Sequence, residues 1–303
     1  MARLLTPHAL LLTALVVLLL PVDLAADEDT ALFWALQRKG EPVGYLLGTI
    51  HSEDPRVLDF PDEFMRQLSG SEVFAMEMVP DLPTLARLTE YMQYQDGTTL
   101  ESRIGPERYA RLGLALERYR IPQDWLTRMK VWAAMMTLSV PPPETGLFMD
   151  FSLSLRAAGA GLQVVGLETL EQQLSFLENM PLEQQIILLD EALEEFEQVA
   201  ESHRKMVDSY LQGDVRELER MVTEQLDRLE PAARDYFMKE GIEVRNHRML
   251  EAVLEQLAQS RVFIAIGALH LPGDNGLIEL LRRSGYEMVP LPLPLPSEPN
   301  QAE

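Results

Sequence analysis

The 303-residue sequence contains no cysteine, so neither disulfides nor a lipid-modified cysteine can hold it. It is also short of positive charge: 26 Lys and Arg stand against 48 Asp and Glu, for a net charge of −22. Nucleic-acid binding rests on Lys and Arg neutralising phosphates, and attachment to an anionic membrane draws on the same residues, so both kinds of partner are excluded. Long apolar runs are missing too. The run from Ala9 to Leu20 is twelve residues, well under the roughly 20 needed to span a bilayer. Histidine is scarce, at five.

What is present begins with a secretory pattern. Arg3 precedes the apolar run, and Leu24-Ala25-Ala26 precedes the acidic Asp27-Glu28-Asp29. A positive start, a brief apolar core and small residues before a polar stretch predict a signal peptide, 1–26, cut after Ala26. An uncleaved N-terminal anchor is the rival reading. Export without disulfides favours a bacterial periplasm, where the core alone must hold the chain. Residues 27–291 read as one domain, large enough to need no staple. The Leu-Pro repeat that opens 292–303 reads as a Pro-rich disordered tail.

Segments 31–38 and 43–50 read as strands of a hairpin around Lys39-Gly40-Glu41-Pro42. Further strands are expected at 71–78, 163–167, 261–266 and 286–291, the fifth apolar nearly throughout, as a central strand should be. Helices are expected near 62–69, 83–95, 106–119, 122–139, 149–159, 242–259 and 276–284. The longest, 181–212, carries one seam of residues alternating three and four apart. Gly213 ends it, and Asp214 with Glu217 reads as a capping box for the next helix. The fold class is therefore α+β or mixed α/β, with one central mixed sheet built from the N- and C-terminal strands around a largely helical middle.

Two segments match. Tyr45-Leu-Leu-Gly48-Thr-Ile-His51 and Ile264-Ala-Ile-Gly267-Ala-Leu-His270 each end an apolar strand with Gly, two residues, then His. Glycine there permits a turn or a close approach that a side chain would block. The imidazole then projects beyond the sheet edge, where α/β proteins place ligands. If the two strands are neighbours, the imidazoles converge, and neutral imidazole is the commonest metal ligand. Either histidine could instead cap a strand end or bond a loop carbonyl. His8 goes with the signal, His203 with the long seam and His247 with a polar helix face.

Glu77 interrupts an apolar strand, where a charge is costly unless paired, bonded or metal-bound; a solvent-facing or edge position would explain it equally. Glu168 and Asp150 stand at helix starts, where an acid also suits the dipole. Asn246 falls on the buried stripe of its helix with Arg245 beside it, and buried polar groups need partners. Those partners could be the sheet, or a substrate carbonyl and its oxyanion. Lys130 and Trp132 pose the same question. The loop Leu271-Pro-Gly-Asp-Asn-Gly276 would aim a helix N-terminus at His270.

These residues in this order resemble the TraB/GumN family, related to the Tiki-type proteases. The likeness covers YLLGTIH, Glu77, Lys130-Val-Trp132, Asp150, Gly166-Leu-Glu168-Thr, Tyr210-Leu-Gln-Gly-Asp214, Arg245-Asn246 and GALHLPGDNGLIELLRRSGY, with Val131 standing where proline is common. The resemblance implies a site of paired G-x-x-H motifs with an acidic residue, in a metal-dependent peptidase favouring manganese or cobalt, with zinc as an alternative. On this reading His51, Glu77 and His270 hold the metal, with Glu53 a competing ligand. Glu168 is the general base, and Arg245 with Asn246 positions substrate or binds the oxyanion. The expected partner is a peptide or small-molecule substrate, without stable membrane insertion once the signal is removed. The oligomeric state is not encoded in any motif. More distant likenesses leave two other functions open: a non-catalytic binder of haem or a small ligand, and a metal-free hydrolase of erythromycin-esterase type.

Overall fold

The computed structural model describes residues 30–295; the expected signal peptide lies outside them. Six strands form one mixed sheet: β1 Phe33–Arg38, β2 Glu41–Thr49, β3 Val73–Met76, β4 Gln163–Gly166, β5 Val262–Gly267 and β6 Glu287–Leu291. Their order is β4-β3-β5-β2-β1-β6. Lys39 and Gly40, with φ of 54° and 80°, make the tight turn that pairs β1 with β2. β4, β3, β5 and β2 are mutually parallel, whereas β1 pairs antiparallel with both β2 and β6.

Strand periodicity sorts the sheet into two cores. From β5, Phe263 and Ala265 join Phe33, Leu47, Phe74 and Met76 on one face. Val262, Ile264 and Ile266 join Trp34, Leu36, Leu46 and Ala75 on the other. A central strand covered on both faces has no use for polar residues, which is why β5 is apolar from end to end. A third core, including Leu112, Trp132, Leu138 and Leu189, belongs to the helical middle section.

Two expected helices are broken. The 181–212 seam is split into Leu182–Glu195 and Val199–Leu211 by a 3₁₀ turn, Phe196–Gln198. The two halves serve different cores: Leu189 and Phe196 pack in the helical section, whereas Val207 and Tyr210 pack against the sheet. No straight stripe can face both. The 122–139 helix breaks at Met129 and Lys130, which take extended backbone; the Lys130 N–H goes instead to the Met92 carbonyl, 2.8 Å away.

Asp214 caps Val215–Leu226 by accepting from the Arg216 N–H at 2.9 Å. Glu217 does not complete a capping box; its carboxylate is taken by Arg220 at 2.6 and 2.8 Å. The segment expected to be a disordered tail starts out packed: Leu293 lies against the first core and Leu295 is buried in it. Among the described residues no helix is long and apolar enough to cross a membrane.

Candidate active site

The four parallel strands deliver their carboxyl ends to one edge of the sheet, the side on which open α/β folds bind ligands. β3 ends at Met76, so Glu77 stands just beyond it rather than within a strand. Glu168 follows β4 by two residues, His51 follows β2 by two, and His270 follows β5 by three, on a 3₁₀ turn, Ala268–His270. β2 and β5 are neighbours, with Gly48 beside Ile266 and Thr49 beside Gly267. The two G-x-x-H motifs therefore run side by side, offset by one residue.

Both motif glycines are close-approach positions. A Cβ on Gly48 would lie 3.0 Å from Leu271 Cδ2 and 3.1 Å from Ala268 Cα. A Cβ on Gly267 would lie 3.1 Å from Glu77 Oε1. The Gly48 carbonyl also receives the buried Tyr210 hydroxyl at 2.7 Å, which ties the first motif to the helix Val199–Leu211.

His270 is buried. Its Nδ1 lies 2.6 Å from Asn246 Oδ1, and Asn246 Nδ2 donates to the Asn275 carbonyl at 2.7 Å. With the amide orientation fixed in this way, Oδ1 must accept, so His270 Nδ1 carries the proton and Nε2 is left with a lone pair. That lone pair faces Glu77 Oε1 at 4.0 Å. Burial pushes the imidazole down to about 4, so it is neutral at pH 7.

Glu77 is gripped on both oxygens. Oε1 accepts from the Gly267 N–H at 2.8 Å. Oε2 accepts from Arg245 Nη2 at 2.6 Å and Gln173 Nε2 at 2.9 Å. Burial works to raise this carboxyl, but His270, Arg245 and the Gly267 amide outweigh it and hold it at about 2. Since His270 is neutral at pH 7, Arg245 is the charge that keeps Glu77 ionised there.

Arg245 bridges two carboxylates. Its Nη2 and Nε also reach Glu168 Oε2 at 2.7 and 2.9 Å. The Glu168 side chain has no exposed surface, and its Oε1 is buried without a hydrogen-bond partner. Burial raises its carboxyl despite the pull of Arg245. A π-helical turn, Phe237–Glu243, precedes the helix Val244–Leu257 that carries Arg245 and Asn246, and the Gly241 carbonyl faces Arg245 Nη1 at 3.5 Å. Such turns recur at functional sites because they re-aim the residues that follow.

His51 has other neighbours and is 57% exposed. Its ring stacks on Phe148 at 3.8 Å between centroids, and its Nδ1 is 3.6 Å from Asp150 Oδ1, which has no hydrogen-bond partner. Ser52 Oγ and His203 Nε2 are hydrogen-bonded at 3.0 Å. Glu53 turns away from the site: its carboxylate accepts from the Thr145 and Gly146 amides at 2.8 and 2.9 Å, anchoring the loop before Phe148. Lys130 and Trp132 converge on Glu178, at 2.8 and 2.7 Å, and tie two helices together.

The donors suit a divalent cation in kind: a neutral imidazole with its lone pair preset, an ionised carboxylate facing it, and an orphaned Asp150 oxygen beside a second imidazole. They stand as two pairs, His270 with Glu77 and His51 with Asp150. Among the described residues no three His, Asp or Glu side chains form a single metal-holding group.

Gln173 and Phe148 were not singled out in the sequence. Gln173 rides on a helix, Leu170–Glu178, whose signature was nonetheless present: Thr169 and Gln172 make a reciprocal capping box directly after Glu168. Phe148 carries no sequence signal, since an aromatic ring in a loop announces nothing about what it stacks on.

A six-stranded mixed sheet with imidazoles, carboxylates and a buried arginine at the ends of its parallel strands makes this an α/β protein with a polar candidate site at one sheet edge. Residues 32–290 match the model of the TraB/PrgY/gumN family, and the chain belongs to that family. Its similar relatives include Metalloprotease TIKI1 of Danio rerio, 27% identical over 86% of this chain and 63% of the relative. The Metalloprotease TIKI1 proteins of Xenopus tropicalis and Homo sapiens are each 24% identical, over 88% and 86% of this chain and 62% of their own length. The chain thus spans under two thirds of these relatives. No solved structure matches it.

Proposed function

We propose that this chain is a divalent-metal-dependent hydrolase acting on peptide bonds, exported to the periplasm by the segment before residue 27. The observation that carries the reading is the His270 arrangement: Asn246 fixes its tautomer, burial keeps it neutral, and the Nε2 lone pair faces the ionised Glu77 at 4.0 Å. That is how proteins prepare an imidazole for a cation, with an outer partner fixing the ring and the opposite nitrogen free. The metalloprotease relatives point the same way.

His270 Nε2 and Glu77 would hold the metal as a pair, and His51, which stands in the other pair with Asp150, would have to come to them to serve as a third ligand. When bound, the metal would polarise the substrate carbonyl and acidify a water molecule. The protein's own groups supply the rest. Asp150, near His51 Nδ1, favours the proton on that nitrogen and leaves Nε2 with its lone pair. Phe148 limits the ring's rotation by stacking. Arg245 holds Glu77 ionised and presents positive charge near the edge where an oxyanion would form.

Glu168 has no exposed surface from which to meet a water molecule. In our reading it acts at one remove, orienting Arg245 rather than moving the substrate proton.

The pairwise grouping of the donors favours one second reading: His51, exposed and backed by Asp150, acts directly as general base in a metal-free hydrolase. The deciding experiment is elemental analysis of the purified protein beside His51→Ala/His270→Ala, with turnover of a peptide mixture before and after chelation. Manganese, cobalt or zinc near about one equivalent, lost in the double variant together with chelator-sensitive turnover, supports the metal reading. Turnover that survives chelation selects the His51–Asp150 reading. A Soret band on haem addition without any turnover overturns both.

A further inference from the structure

Beside the His51 edge, the helical section holds a partly open cavity of about 510 Å³ that the site chemistry does not use. It lies among the helices Val131–Leu138, Leu182–Glu195, Val199–Leu211 and Val215–Leu226. The volume falls in the range of about 300–1,000 Å³ typical of ligand pockets. Its apolar wall includes Met135, Met180, Leu188, Met206, Val222 and Phe237. Three of these six are methionines, whose unbranched, polarisable side chains adapt to apolar groups of varied shape. One wall is built on a small core of its own, Leu226, Leu229 and Ala233 against Leu188, Val222 and Phe237.

The lining carries charge of one dominant sign. Glu191, Glu194 and Glu195 contribute to it, against Arg228, which is paired with Glu195. Burial, together with Glu195 and Glu194, holds the Glu191 carboxyl above its ordinary range although Arg228 works against this. A cation seated there would relieve the excess, whereas a fatty-acid carboxylate would be repelled.

One residue joins the cavity to the site. His203 is part of the cavity wall, and its Nε2 bonds Ser52 Oγ, the residue next to His51.

We propose that this cavity receives an apolar, positively charged peptide segment of the substrate, with bulky apolar side chains among the methionines and a Lys or Arg against Glu191 and Glu194. The proposal rests on the hydrolase reading for the word substrate and names the class: peptides with apolar and basic residues near the cleaved bond.

The test is fluorescence anisotropy with dansyl-Leu-Phe-Leu-Lys-Leu-amide, compared with a version carrying Ser for each Leu and Phe, and with dodecanoate as competitor. The apolar peptide is expected to bind and the Ser version not to. Met206→Trp, which fills the cavity, should weaken binding by about tenfold or more. Glu191→Gln/Glu194→Gln, at positions open enough to spare the fold, should weaken it by about tenfold and flatten its salt dependence. Far-UV circular dichroism checks that Met206→Trp folds; if it does not, the glutamine variant decides alone.

Equal binding to wild type and the glutamine variant, equal binding of the Ser peptide, or preferential binding of dodecanoate overturns the proposal. The variant His51→Ala/His270→Ala separates it from the hydrolase reading. Retained peptide binding there, with no turnover in wild type, leaves the cavity assignment standing while the hydrolase falls. Turnover with equal kcat/KM for the apolar and Ser peptides does the reverse.

Discussion

Asn246 Oδ1 and His270 Nδ1 lie 2.6 Å apart in a buried setting, and this one contact sets which imidazole nitrogen carries the proton. Asn246→Ala should release the tautomer and leave Nδ1 without a partner. The expected loss of activity or metal affinity is about 10–100-fold, with ¹⁵N NMR of His270 showing a mixed tautomer. Asn246→Asp should instead favour the imidazolium and raise the His270 pKa. If the ¹⁵N signature of either variant matches wild type, Asn246 has no such role.

Arg245 is the counter-ion shared by the buried Glu168 and the half-buried Glu77. Arg245→Met strands Glu77 and Glu168 together, and removing one partner of a buried ion pair costs about 3–5 kcal/mol. Arg245→Lys should recover only part of this, because an ammonium cannot reproduce the guanidinium fork that reaches both carboxylates. Adding Glu168→Gln to Arg245→Met should restore stability by removing one stranded charge. Urea unfolding measures all three; a fully stable Arg245→Met would refute the shared-counter-ion account.

The motif glycines should tolerate alanine poorly, for different reasons. In Gly267→Ala the new methyl lands 3.1 Å from Glu77 Oε1, so activity should fall more than stability. In Gly48→Ala it meets Ala268 Cα, a backbone atom, at 3.1 Å. Overpacking of that kind costs about 1–3 kcal/mol and should appear in the thermal midpoint first. Equal behaviour of the two variants in both measurements would contradict this division.

Acid should destabilise the metal-free protein in two windows. His270 sits at about 4 in the fold against an ordinary 6.5, so between those values the unfolded chain binds a proton that the native state refuses. Stability then falls as pH falls from 6.5 to about 4, by on the order of 3 kcal/mol for this group. Glu77, held at about 2 against 4.5, contributes stability present above 4.5 and lost as pH drops towards 2. Glu168, raised by burial, works in the opposite sense, so Glu168→Gln should steepen the slope. Denaturant titrations in chelator across pH 4–7, with His270→Gln as comparison, test this; the histidine variant should be flatter, and an unchanged slope would refute it.

Much of this was legible in the sequence because the signals are local. Six strands, a hairpin at Lys39-Gly40 and a central apolar β5 follow from side-chain alternation and turn chemistry, which involve residues within a few positions of one another. The two G-x-x-H motifs named their histidines, and the buried stripe of the Val244–Leu257 helix named Asn246, 0% exposed. The lack of cysteine excluded disulfides without any structure, and a charge of −22 argued against nucleic acid and anionic membrane surfaces as partners.

What the sequence could not decide is which distant groups meet. That Arg245 lies between Glu77 and Glu168, residues 168 and 77 positions away, depends on strand order, and no local pattern encodes strand order. The split of the 181–212 seam depends on where two separate cores lie. That His51 is 57% exposed and His270 only 6% is likewise invisible in two matching motifs. Local chemistry chose the residues; the arrangement of parallel strand ends, fixed only when the whole sheet closes its two cores, assigned them partners and charge.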